Sequence, residues 1–143
     1  MTSIEIIGVR ALTSIMNKRR DKLANFRRVN AKAVVVVEKW IQKNFQQEGA
    51  MAQEGGWKKL SPATIAMRRS GSSKILQDTG RLKNEWKKQW TNKSGIIQAS
   101  MPYAIKHHKG MGVPKRPILP TEPQIMPELL KVYGTHVRTS LNA

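Results

Sequence analysis

Between Gly8 and Gly49 the chain carries neither glycine nor proline, and its apolar positions keep a helical spacing. Leu23, Phe26, Ala33, Val34, Val37, Ile41 and Phe45 fall on one stripe, the mark of an amphipathic helix with a period near 3.6. Lys18, Arg19, Arg20, Lys22, Arg27, Arg28, Lys32, Lys39 and Lys43 occupy its other faces. The β-branched run Val34–Val37 has strand propensity, but it sits inside the longer helical period, so a helix is expected. The pattern predicts one long helix or two consecutive ones, with Asn17 or Asn30 as the place for a bend.

Past this region the period changes. Glu48 to Gly56 is a glycine-rich connection ending at Trp57. Ser61-Pro62 reads as an N-cap followed by proline in the first helical position, which predicts a short helix through Arg69. Ser70-Gly71-Ser72-Ser73 then forms a loop, and Asp78 or Thr79 is a candidate cap for a short turn leading into Leu82. Trp86, Lys88 and Trp90 alternate with Glu85, Lys87 and Gln89. After the turn residues Asn92 to Gly95, Ile97, Ala99 and Met101 share a face, so the two runs predict a β-hairpin. A helical turn is expected over Tyr103–His108. Five of the seven prolines lie between Pro114 and Pro127, which predicts an extended arm. Leu129, Leu130 and Tyr133 mark a last amphipathic piece before Gly134.

The expected architecture is a single α+β domain over residues 1–143. A long basic N-terminal helix or helix pair (1–48) packs on a small antiparallel sheet, with short helices, a proline-rich extended arm and a C-terminal arm or helix (120–143). At 143 residues the chain is long enough for one real core and short for two. No stretch approaches the roughly 18–20 apolar residues of a membrane span, and Met1-Thr2-Ser3-Ile4-Glu5 lacks the basic and apolar regions of a signal peptide. A protein made in the cytoplasm, with no membrane partner, is expected. Cysteine is absent, which removes disulfides, thiolate nucleophiles and cysteine-based zinc sites. With 26 Lys+Arg against 9 Asp+Glu the formal net charge is +17. Such an excess points to a polyanionic partner, either nucleic acid or an acidic protein surface.

Candidate chemistry narrows the classes further. Asp78-Thr79-Gly80 matches the tripeptide of aspartic proteases, but those enzymes need two facing carboxylates that share a proton. With Gln77 before it and Arg81-Leu82-Lys83 after it, a helix cap accounts for the tripeptide equally well. His107 and His108 are adjacent, so on a helix they point about 100° apart. Flanked by Lys106 and Lys109, they suit a basic surface turn better than a metal site. No glycine-rich phosphate loop is present, and neither catalytic residues nor a cofactor are expected. The basic helical face (Arg19, Arg20, Arg27, Arg28, Lys32) is either solvated or turned toward a polyanion, nonspecifically and with strong salt dependence. Trp40, Trp86 and Trp90 are expected in the core rather than stacked on bases.

Four short pieces in order resemble the phage virion morphogenesis family, the tail completion proteins. They are Gly56-Trp57-Lys58-Lys59-Leu60-Ser61-Pro62-Ala63-Thr64, Ile75-Leu76 through Thr79-Gly80-Arg81-Leu82, Tyr103-Ala104-Ile105 with His107-His108 and Gly110, and Pro114-Lys115-Arg116-Pro117-Ile118-Leu119. Ile118 stands where the family usually has Phe, and His108 where it often has Gln. The matched region spans 56–119, and the N-terminal helix fits in character only. The resemblance implies a non-enzymatic virion subunit of a tailed phage. It would form a ring, expected to be six-fold, that completes the tail and joins it to the head. Its partners would be other copies of itself, the head connector and tail tube proteins, and DNA in the channel. On that basis Trp57, Tyr103, His107, Arg116 and Pro117 are candidate assembly residues, Arg116 as a cation held between prolines for an interface carboxylate. The alternative is a small basic protein that binds nucleic acid nonspecifically.

Overall fold

The computed structural model describes residues 17–22, 24–68 and 71–142. Residues 17–22 are helical, and the helix breaks at Asn25–Phe26 before α1 (Arg27–Gln46) begins. The break falls at Asn25 rather than at Asn17 or Asn30, because the Asn25 side chain takes the Arg27 backbone N–H at 3.3 Å. A short amide that bonds its own backbone competes with the helix in this way. Of the expected apolar stripe, Ala33, Val34, Ile41 and Phe45 are buried. Val29, Asn30, Trp40 and Asn44 complete the buried face.

The end of α1 is built as a Schellman turn. The Glu48 N–H reaches the Phe45 carbonyl at 3.1 Å, and the Gly49 N–H reaches the Asn44 carbonyl at 2.8 Å. Glycine usually fills the first left-handed position of such a turn. Here Glu48 does so (φ 49), and its carboxylate accepts the Ile75 N–H at 2.9 Å. That bond ties the 70s loop to the helix end.

Three short helices follow the expected positions with adjusted boundaries. In α2 (Pro62–Met67) the Ser61 side chain accepts the Thr64 N–H, so the predicted cap is in place. The N-cap position of α3 (Arg81–Asn84) is Gly80, while Thr79, one of the two expected caps, accepts the Arg81 N–H through Oγ1 at 3.4 Å. The helix α4 covers Ala104–Lys109. Strands β1 (Trp86–Trp90) and β2 (Gly95–Ala99) form the predicted antiparallel hairpin, in register from Trp86–Ala99 to Trp90–Gly95. Its inner face meets α1, with Lys88 paired to Glu38 at 2.7 Å. A β-carbon on Gly95 would come within 2.8 Å of Val34 Cγ2, so this glycine permits the close approach of hairpin to helix. Trp86 is half-buried, whereas Trp90 is 39% exposed. The expectation of a core role therefore fails for Trp90, which pairs with Gly95 across the hairpin and lies outside the core cluster.

The proline-rich segment is extended only as far as Pro120. Helix α5 (Glu122–Leu141) takes in Pro123 and Pro127 and runs on through Gly134. Pro123 sits in the first turn, where no N–H is needed. Gln124 caps the start by accepting the Thr121 N–H at 2.9 Å, and it donates to the Met51 and Ala52 carbonyls. Asn30 is the joint of α1, α5 and the hairpin turn. It donates to the Thr91 carbonyl at 2.9 Å and accepts the Tyr133 hydroxyl at 2.6 Å. Trp40, Ile41, Phe45, Trp57, Ile75, Leu76, Leu82, Ala104, Ile118 and Ile125 make one apolar cluster. No helix among the described residues is long and apolar enough to cross a membrane.

Candidate functional site

The loops around the end of α1 close over one another and leave a cleft of about 760 Å³. Its walls come from residues 58–64, 76–82, 103–107 and 113–116, with Arg68 reaching in from the end of α2. Leu60, Leu76, Leu82, Val113 and Pro114 give it an apolar lining, and Lys58, Lys59, Arg68, Arg116 and His107 supply the basic groups. Asp78 is the one carboxylate in the lining, and it makes no ion pair among the described residues.

Hydrogen bonds to main-chain carbonyls hold these walls together. Arg116 donates through Nε and Nη2 to the Lys58 carbonyl at 3.0 and 2.8 Å, and its own N–H meets the His107 carbonyl at 2.8 Å. Trp57 donates Nε1–H to the Pro117 carbonyl at 2.8 Å, and Asn44 donates to the same carbonyl at 3.1 Å. The Pro117 carbonyl thus receives two donors from the core. These bonds revise the expected roles. Arg116 is not a cation projecting between prolines: it is 6% exposed and two of its nitrogens serve the fold. Trp57, at 3% exposed, packs edge-on against Phe45 and is a core residue rather than a surface one. Tyr103 remains exposed, with its ring edge-on to the half-buried His107. Burial first, and the nearby Arg68 second, push the Arg116 guanidinium below its ordinary value.

No model of a known protein family, no curated protein and no solved structure matches this chain. The site's own chemistry is therefore what bears on function.

The histidine pair is structural on one side and open on the other. His108 Nδ1 accepts the N–H of Ile118 at 3.0 Å, so that nitrogen is unprotonated in the folded chain. His107 Nδ1 is buried without a partner. The expected basic surface turn is thus a half-buried one that anchors the 114–119 segment. Burial lowers both pKa values, helped by Arg116 at His107 and by Lys115 and Lys109 at His108. A histidine held neutral in the fold takes up its proton more readily when unfolded. The stability it contributes is complete above the ordinary value of 6.5 and is lost as pH falls below it toward the depressed folded values. Melting temperature should therefore fall as pH drops below about 6.5, the ordinary histidine value. His108→Asn, which keeps an acceptor and removes the titration, should flatten part of that fall. An unchanged profile in His108→Asn would count against this account.

The basic helical residues divide. Arg27, Arg28 and Lys32 are exposed on α1, and Arg28 and Lys32 line a groove of about 590 Å³ with Lys131, Thr135, His136 and Thr139 of α5. Arg19 and Arg20 lie on the separate preceding helical segment. Arg20 is 3.8 Å from Asp21, and Arg19 is half-buried. Lys131 and Arg68 carried no motif that could have placed them with these groups, since only the chain's return through α5 and the 58–68 loop brings them there.

Proposed function

We propose that this chain is a structural virion protein of a tailed phage, a ring subunit at the head–tail junction that completes the tail and joins it to the head. One observation carries this reading. The four segments that resemble the tail completion family, spread over 56–119, line a single cleft, and the first, third and fourth are hydrogen-bonded to one another. Trp57 of the first holds Pro117 of the fourth, Arg116 of the fourth holds Lys58 of the first, and His107 of the third holds the Arg116 backbone. Chance tripeptide matches would have no reason to meet. A set that defines a fold would. Exposed Tyr103, Ile105 and Met111 around α4 also give a neighbouring subunit apolar surface to cover.

The test is the mass of the full chain by light scattering and electron microscopy, alone and mixed with tail tubes or head connectors. A ring, or a cap on the tail end, is the expected result. A persistent monomer that ignores both and shifts DNA would overturn it. Charge reversal at Arg116 is a poor probe, because it would break the Lys58 tie inside the subunit. Lys58→Glu and Lys59→Glu alter exposed side chains and leave that carbonyl in place.

The α1–α5 groove favours a second reading, nonspecific nucleic-acid binding. Arg28, Lys32 and Lys131 border it with threonine hydroxyls between them, a composition suited to phosphates. On that reading DNA affinity falls steeply with salt, and Arg28→Gln with Lys32→Gln lowers the slope.

A further inference from the structure

The cleft between the 58–64, 76–82, 103–107 and 113–116 segments is lined by basic and apolar side chains together. Arg116 and Arg68 both line it, close enough to repel; Arg68 donates to the Ser72 and Lys74 carbonyls, and Asp78, the one carboxylate in the lining, is bonded to neither guanidinium. Lys58 and Lys59 add charge at the exposed mouth. Arg116 is oriented by its two bonds to the Lys58 carbonyl, which leaves Nη1 without a partner among the described residues. His107 adds a buried nitrogen with no partner. Like charges gathered at one point and held by backbone bonds are destabilising unless an anion arrives to join them.

The shape chooses between anions. A nucleic acid offers phosphates at regular intervals and is met by cations spread along a track. Here the cations share one concavity with Leu60, Leu76, Leu82 and Val113. Basic and apolar side chains in one cleft fit a short peptide that buries an apolar side chain and sets a carboxylate beside the cations. We propose that the cleft is a docking site for an acidic, partly apolar peptide segment of a partner protein. The assembly reading is needed only to say that the partner is an adjoining virion subunit.

The experiment uses the full chain and a fluorescein-labelled eight-residue peptide of alternating Leu and Glu, read by anisotropy. Saturable binding is expected, weakened about tenfold by Arg68→Gln and by Lys58→Glu, with the melting temperature of Lys58→Glu unchanged. The same peptide with Gln in place of Glu should bind at least tenfold more weakly. Equal binding of the Gln peptide would overturn the proposal, as would variants that bind like the parent. Displacement of the peptide by a single-stranded oligonucleotide that is itself weakened by Arg68→Gln would make the cleft a phosphate site and overturn it too. Failure of the peptide to bind leaves ring formation untouched, so the two proposals fall separately.

Discussion

Replacing Trp57 by alanine should cost about 3–5 kcal/mol of folding stability, the range for truncating a buried aromatic. Trp57 is 3% exposed, lies edge-on to Phe45 with ring centres 5.2 Å apart, and donates its indole N–H to the Pro117 carbonyl at 2.8 Å. Its removal opens a void between the end of α1 and the 114–119 segment, and the cost depends on how far the surrounding loops can close over it. A domain of this size has about 5–15 kcal/mol in all, and the melting temperature should fall by roughly 10 °C or more. Trp57→Phe separates the two contributions. It keeps most of the ring contact and loses one hydrogen bond, worth about 0.5–1.5 kcal/mol, to a carbonyl that Asn44 still serves. Denaturant titrations of the two variants would check this. A loss in Trp57→Ala no larger than that in Trp57→Phe would show that packing on Phe45 is not what holds the segment.

That dependence explains how far the sequence could be read. The apolar stripe of α1 and the hairpin are local patterns, and both elements form, with Ala33, Val34, Ile41 and Phe45 of the stripe buried, Leu23 outside the described residues, and only Trp86 of the β1 apolar positions half-buried. Ser61 was legible for the same reason, since a cap acts on a backbone group three residues away. Trp57 and Arg116 were singled out, but as groups for a neighbour. Within the subunit both are held by carbonyls, of Pro117 and Lys58, roughly sixty positions away, and a main-chain carbonyl leaves no mark in a residue pattern. Proline misled in the opposite direction. Five prolines in a short segment suggest an extended arm, yet Pro123 falls in a first helical turn, and Pro127 lies inside α5 despite the lost bond to the Pro123 carbonyl and the crowding of its ring against that carbonyl. Gly134 did not stop α5, because a glycine weakens a helix by only about 1 kcal/mol, less than α5 gains by packing Tyr133 and His136 against Phe26 of the α1 boundary.

The charge excess was legible as a number and mute as a location. Arg28 and Lys32 are four apart on α1, so their shared face is a local fact, but the third cation of that groove is Lys131. Arg68 likewise reaches the cleft from beyond a helix that shows no basic pattern of its own. Two basic concavities therefore emerge from one undifferentiated excess. They differ in the way that matters for a partner, with cations joined by leucine and valine side chains in one and by threonines in the other.

Gly49→Ala should be the most damaging single-methyl change in the chain. Gly49 has φ +88, and a β-carbon there would lie 2.2 Å from Trp57 Cδ1 and 2.3 Å from Cγ. The left-handed backbone alone costs a non-glycine residue about 1–2 kcal/mol. The clash adds the penalty of overpacking, about 1–3 kcal/mol, because Trp57 is held by Phe45 and by the Pro117 carbonyl and cannot step aside. Gly55→Ala isolates the backbone share: its φ is +78 and nothing lies within 4 Å of an added β-carbon. A double-mutant cycle isolates the rest. In a Trp57→Ala background the new methyl meets a void instead of an indole, so Gly49→Ala should then cost no more than Gly55→Ala does in the parent. Equal costs of Gly49→Ala in both backgrounds would mean that the indole does not press on this turn. The Schellman end of α1 and the cleft's anchoring tryptophan would then be independent features rather than one packed unit.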